Sequence, residues 1–272
     1  MTVSAAAAHS ASSAATPVTR AVRTSSSSAR AGTYPFVLGD LTSDWHVHDL
    51  HQLEYAFEGV VQVETNTARF LSPPRQAVWI PAGLAHRTTL SKVRTVSVFF
   101  DPTMIDGMSD RVRVFPADPV LREMAIYARR WSIDRPAGEP LADSYFEVMA
   151  GLLERWLETE SSFHLPTTAD PTVAAALVYA EGHLDSVTLR SACAAAAVSE
   201  RTLRRRFAAT LHMSWRDYLL RLRLLRAMAL LTETHTTVLS VATKVGFDDA
   251  SAFARSFARY TGQTPSAYRR QR

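Results

Sequence analysis

The chain has 272 residues, 47% of them hydrophobic and 21% charged. That is enough for about two globular domains and excludes a wholly disordered chain, a collagen and a coiled coil. No run approaches the ~18 apolar residues of a membrane span, and one cysteine, Cys193, excludes an internal disulfide framework and a cysteine-built zinc finger. The net charge of +4 is unevenly spread: Asp170 onward carries 15 Lys+Arg against 8 Asp+Glu, and the preceding residues carry 15 against 18. A basic C-terminal third on an acidic N-terminal part points either to a nucleic-acid module or to a solvated basic face.

Residues 1–33 are rich in Ala, Ser and Thr, hold no acidic residue, and contain His9, Arg20, Arg23 and Arg30. Such a stretch buries too little apolar surface to repay ordering, so a disordered tail is expected. Its short Ala5–Ala8 run does not make a signal peptide, although the composition is shared with transit peptides. Residues 34–116 carry short β-branched runs, among them Val60 to Glu64, Ala77 to Ile80 and Thr95 to Phe100. Turn signals at Gly59, Asn66, Pro73-Pro74 and Pro81-Ala82-Gly83 separate them, a spacing that predicts a small all-β sandwich or barrel. Residues 117–160 follow helical spacing in two segments, 120–131 and 141–159, broken by Ser132 to Pro140. Residues 161–171 read as a polar linker, and 172–272 as an all-helical domain.

Within that domain Leu189, Ala192, Cys193 and Ala196 share one face of a short helix. A turn follows at Val198, with Ser199 placed to cap a second helix. There Leu203 and Phe207 face inward, while Arg201, Arg204 and Arg205, at i, i+3 and i+4, share an outer face. The pattern recurs 50 residues later: Leu189 matches Leu239, Ala192 matches Ala242, Leu203 matches Phe253, Arg205 matches Arg255 and Phe207 matches Phe257. Gly246 falls where the first helix of this second unit should end. A long helix over 215–231, about 25 Å, is expected to join the units as a rigid spacer. Two helix-turn-helix units in tandem fit successive major grooves of double-stranded DNA, with guanidinium groups reading guanine or gripping phosphate.

The run Val198-Ser199-Glu200-Arg201-Thr202-Leu203-Arg204-Arg205-Arg206-Phe207, then Val245-Gly246-Phe247-Asp248-Asp249 through Phe253, Arg255, Phe257, Gly262, Pro265 and Tyr268, resembles the AraC/XylS family of bacterial transcription regulators. The resemblance implies that Ser199, Arg201, Arg204 and Arg205 supply the main DNA contacts, and that Ala250, Ser251 and Arg255 form a weaker second set. His212 stands where the family usually has glycine.

In the N-terminal part, His46-Val47-His48 alternates so that both imidazoles point to one side of a strand. Gln52 and Glu54 follow, and His86 comes after the turn at Pro81-Ala82-Gly83. The arrangement resembles the two cupin motifs, in which three histidines and a glutamate bind a divalent metal inside a small barrel; Gln52 stands at the glutamate position. The expected effector pocket is therefore His46, His48, Gln52, Glu54, Trp79 and His86. His46, His48 and His86 are candidate ligands for Zn²⁺, Ni²⁺ or Fe²⁺, and Glu54 is a possible fourth. Histidines bonded within the barrel, or lining an organic-ligand pocket, are the alternative.

The expectation is an α+β multidomain chain: a cupin-like β-barrel followed by helices, then an all-α domain with two helix-turn-helix units joined by a long helix. As a cytoplasmic transcription regulator it answers to a small molecule or metal, with no catalytic residues. RNA polymerase is a further partner, and helices 120–131 and 141–159 are homodimer elements. The competing readings are a metal-dependent cupin enzyme carrying a DNA-binding domain, and a helical domain that binds protein.

Overall fold

The computed structural model describes residues 19–21, 29–34, 37–105, 110–161, 163–233 and 236–270. The N-terminal part is built from β1 (Thr19–Ala21), β2 (Ala31–Thr33), β3 (Val37–Thr42), β4 (His46–His48), β5 (His51–Thr65), β6 (Ala68–Ser72), β7 (Gln76–Ile80), β8 (His86–Phe100) and β9 (Arg113–Pro116). Helices α1 (Pro119–Ala128) and α2 (Pro140–Leu157) follow, then β10 (His164–Pro166). The rest is helical: α3 (Pro171–Gly182), α4 (Leu189–Ala195), α5 (Glu200–Leu211), α6 (Trp215–Glu233), α7 (Val238–Lys244), α8 (Ala250–Thr261) and α9 (Pro265–Arg269).

Strands β5 and β8 form the spine of the barrel, paired antiparallel from His51↔Phe100 to Thr65↔His86. Register shifts around Glu58, next to Gly59 at φ 75°, bend β5 midway. The other edge of β5 is then shared: its first half pairs with β7 and its second half with β6. Because side chains alternate, one face of this sheet carries Gln52, Glu54 and Ala56 into the barrel. The opposite face carries Leu53, Tyr55, Trp79, Val98 and Phe100 against α1 and α2, where Leu121, Phe146 and Leu153 close a fully buried second core. That two-sided burial explains why the strands read as β-branched runs with only partial alternation.

Two expectations need correction. The composition predicts disorder through residue 33. Residues 1–18 and 22–28 lie outside the described residues, but β1 pairs with β4 and β2 pairs with β8. Ala29 and Ala31 are buried, and a Cβ on Gly32 would come within 2.6 Å of the Ile133 backbone. Small residues allow this strand to pass close against the loop after α1, so low hydrophobicity here reflects tight contact. The expected linker 161–171 also contains β10, which adds to the free edge of β6 and ends at Pro166, whose missing N–H suits an edge position.

The second helix-turn-helix unit is not a strict 50-residue copy of the first. Four residues, 196–199, separate α4 from α5, but five, 245–249, separate α7 from α8. The second helices keep the offset of 50, while the first helices shift to 49. Val241 and Ala242 are thus the counterparts of buried Ala192 and Cys193, and Leu239 is 62% exposed rather than matching Leu189. The extra residue is accommodated at Gly246, φ 81°, where a Cβ would collide with the Arg223 guanidinium and the Leu184 carbonyl.

Helix α6 is more than a spacer. Tyr218, Leu222, Leu224, Leu225, Ala227, Met228 and Leu231 bury it on several sides, and it contacts α5, α7, α8 and α9 as well as β5 and β10. Helix α5 ends on His212, at φ 52° and ψ 30° in the left-handed region, where α8 ends on Gly262 at φ 77°. A side chain in that conformation costs about 1–2 kcal/mol, partly offset because glycine loses more freedom on folding. His212→Gly is therefore expected to raise unfolding free energy by about 0.5–1 kcal/mol, read by urea denaturation. A lower midpoint would show that the histidine makes a compensating contact.

Candidate functional site

Inside the barrel, β4 pairs with the start of β8 so that His46 lies opposite His86. The ligand nitrogens of His46, His48 and His86 all lie within 4.8 Å of one another. Each ring places Nδ1 against a main-chain carbonyl: His46 on Asp44 at 2.9 Å, His48 on Leu50 at 2.5 Å, His86 on Leu84 at 2.8 Å. A carbonyl oxygen only accepts, so each Nδ1 carries the proton and each Nε2 is left with its lone pair. Burial favours the neutral ring: it pulls the His48 pKa below the ordinary value and that of His86 down to about 3.

His86 Nε2 is buried and has no hydrogen-bond partner. His48 Nε2 lies 3.0 Å from Gln52 Oε1, while the Gln52 amide nitrogen donates to Glu54 at 2.9 Å. In this arrangement two lone-pair atoms face each other. Glu54 is buried beneath them, accepting hydrogen bonds from the Thr95 and Ser97 hydroxyls as well as from Gln52. Burial raises its pKa, and those three hydrogen bonds act the other way.

The structure gathers five of the six expected pocket residues: His46, His48, Gln52, Glu54 and His86. The sixth, Trp79, is displaced to the other side of the sheet. Its register partner on β5 is Leu53, not Gln52 or Glu54, and its ring packs 4.8 Å from His51 and 6.5 Å from Phe100 in the helix-facing core. Thr95 and Ser97 belong to the cluster but were not singled out from sequence. Their alternation along β8 was the available signal, and only the β5–β8 register brings them onto Glu54.

In the helical domain Ser199 caps α5 by accepting from the Thr202 amide, which holds the hydroxyl at the helix start. Leu203 and Phe207 are fully buried, and Arg201, Arg204 and Arg205 project outward as a group. Arg204 pairs with Glu200 at 3.1 Å, an exposed i,i+4 contact. On α8, Asp249 caps the Ser251 and Ala252 amides. Ser251 and Arg255 are exposed, Arg255 lies 3.9 Å from Asp249, and Ala250 is half-buried at the helix start.

Comparison with known proteins follows the same division. The AraC-like ligand binding domain family matches residues 39–179, and a helix-turn-helix domain family matches residues 192–271. The HTH-type transcriptional regulator NimR of Escherichia coli K12 is 28% identical over 232 residues, covering 84% of this chain and 83% of that protein. The HTH-type transcriptional activator RhaR of the same strain is 32% identical over 136 residues, 49% of this chain and 48% of that protein. A solved AraC-type DNA-binding-domain-containing regulator from Chromobacterium violaceum is 26% identical, covers 38% of this chain and 93% of its own, and superposes with a TM-score of 0.36. With more than half of its length matched by the ligand-binding family and its C-terminal part by the helix-turn-helix family, the chain belongs to the AraC family of transcriptional regulators.

Proposed function

We propose that the barrel senses through a divalent cation held by Nε2 of His46, His48 and His86, with Gln52 Oε1 as fourth donor, and that α5 and α8 read operator DNA. One observation carries the sensory reading. Three imidazoles are each fixed by a main-chain acceptor so that their lone pairs converge, and one of those lone pairs, on His86, is buried without a partner. Such outer contacts orient metal-ligating histidines and raise their basicity. The close approach of His48 Nε2 and Gln52 Oε1 fits as well. Metal bonds of about 2.1 Å place neighbouring octahedral ligands about 3 Å apart. Glu54, holding the Gln52 amide, would balance part of the positive charge from behind.

A bound cation would supply a positive centre for an anionic or carbonyl-bearing effector. The site is read as sensory rather than catalytic. Gln52 replaces the carboxylate of the motif, and the Glu54 oxygens are occupied by Thr95, Ser97 and Gln52, so neither is placed as a general base.

The DNA contacts follow from exposure: Arg201, Arg204 and Arg205 form the principal set, with Ser199 at the helix start. Ser251 and Arg255 form the second set, and Ala250 gives close approach to the backbone. Val120, Tyr127, Leu141 and Val148 are exposed on α1 and α2 and supply the apolar face of a homodimer. RNA polymerase is the partner at the promoter, and the cytoplasm is the compartment. Among the described residues no helix is long and apolar enough to cross a membrane.

Metal analysis of untagged protein tests the sensory reading. About one divalent ion per chain is expected after dialysis against Zn²⁺, Ni²⁺ or Fe²⁺, and none in the His46→Ala/His48→Ala/His86→Ala variant. Equal metal content in the two proteins, or none in either, overturns it.

A further inference from the structure

A cleft of about 620 Å³ lies outside the barrel, between its wall and the helical domain. One side is the outer face of the sheet, with Val60, Leu71, Ser91 and Leu165. The other is α3, α6 and α7, with Leu222, Leu225 and Leu230. At the rim, α6 contributes Arg226 and α7 contributes Lys244; among the described residues no ion pair involves either cation. Arg69 of β6 crosses to Glu181 of α3 at 2.6 Å, and its Nε is buried without a hydrogen-bond partner.

We propose that this cleft is a second effector site, taking a small organic anion with an apolar body. The volume falls in the range of small-molecule pockets, and the walls divide about evenly between aliphatic side chains and polar or charged ones, which suits a ligand with an apolar body and a charged end. The charges decide the sign of the ligand. Arg69, Arg226 and Lys244 line the cleft against Glu181 and Asp185. Once Arg69 and Glu181 are paired, two cations face one carboxylate. An anion supplies the missing charge; a neutral ligand leaves the excess of positive charge at Arg226 and Lys244 uncompensated.

The cleft lies on the opposite side of the β5–β8 sheet from the histidines. Gln62 and Thr89 face it, whereas Val61, Val63 and His86 face the barrel interior. The two sites are therefore separate inputs. A ligand in the cleft touches both domains, so it binds one mutual arrangement more tightly and biases the regulator toward it.

Calorimetric titration of the full chain with octanoate and with octanol tests the proposal. Octanoate is expected to bind with sub-millimolar Kd and at least about tenfold more tightly than octanol. Arg226→Ala/Lys244→Ala should bring the two probes to within about threefold of each other, and Ser91→Trp, which fills the cleft from the barrel wall, should abolish both. His86→Ala should leave octanoate binding unchanged, which separates this site from the barrel. Failure of the wild-type chain to bind octanoate overturns the proposal. So does octanoate binding that survives Ser91→Trp, or a double variant that loses operator affinity while keeping its preference for octanoate; the two cations would then serve DNA phosphate.

Discussion

Substituting Arg204 and Arg205 together by alanine is expected to lower operator affinity by about 2–6 kcal/mol, from about thirtyfold upward, if each reads a base bidentately. The loss should come from the DNA contact and not from the fold. Both side chains are exposed, and alanine is the best helix former. Among the described residues the one ion pair made by these two side chains is Arg204 with Glu200, an exposed i,i+4 pair of a kind worth a few tenths of a kcal/mol. That pair also shows how Arg204 is held before binding: Glu200, one turn earlier, restrains the guanidinium on the outer face of α5. Arg255→Ala should cost less, since it removes one guanidinium rather than two and that group leans on the Asp249 cap. Fluorescence anisotropy on operator and on scrambled DNA across a salt series separates the roles. Base readers weaken operator binding selectively, whereas phosphate contacts weaken both sequences and flatten the salt slope. Unchanged operator affinity in the double variant would remove α5 as the reader.

How far the sequence reveals this molecule depends on which contacts are local. Ser199 capping α5, Leu203 and Phe207 inward and the arginines outward are all set by spacing within one helix, and they stand where the spacing puts them. The left-handed end of α5 at His212 was visible through the glycine at the corresponding place fifty residues on. The offset between the first helices was not, because one added turn residue near Gly246 shifts α7 without disturbing either helix's own periodicity. In the barrel, His46 and His48 share a side by strand alternation alone. Trp79 fails for a non-local reason. In a sheet buried on both faces, an aromatic is equally at home on either, and only pairing with Leu53 decides which. The same dependence on register hid Thr95 and Ser97. Residues 29–33 are illegible in the sequence because their ordering comes from β8 and Ile133, about 70 to 100 residues away in sequence, and not from their own hydrophobicity.

Stripped of metal, the chain should lose stability in mild acid, and His86 should account for much of the loss. The ring titrates near 6.5 when unfolded and at about 3 in the buried site. Between those values the unfolded state binds the extra proton, so stability falls as pH drops from 6.5 toward 3 and is unaffected by this group above that window. At pH 4.5 the deficit from one such group is about 2–3 kcal/mol. His48, whose pKa is also lowered by burial, adds in the same direction. Glu54 acts oppositely: its pKa is raised, so the folded state keeps its proton longer, and its effect is to cost stability as pH rises through its folded-state value. Urea unfolding in chelator at pH 7 and pH 4.5 should show His86→Gln losing less stability than the wild type between the two values. The glutamine amide can still reach the Leu84 carbonyl but takes up no proton. Equal losses in the two proteins would mean that His86 is not held neutral by burial. Restoring a divalent ion should deepen the acid dependence of the wild type and leave that of His86→Gln little changed, because protons and metal compete for the same three Nε2 lone pairs.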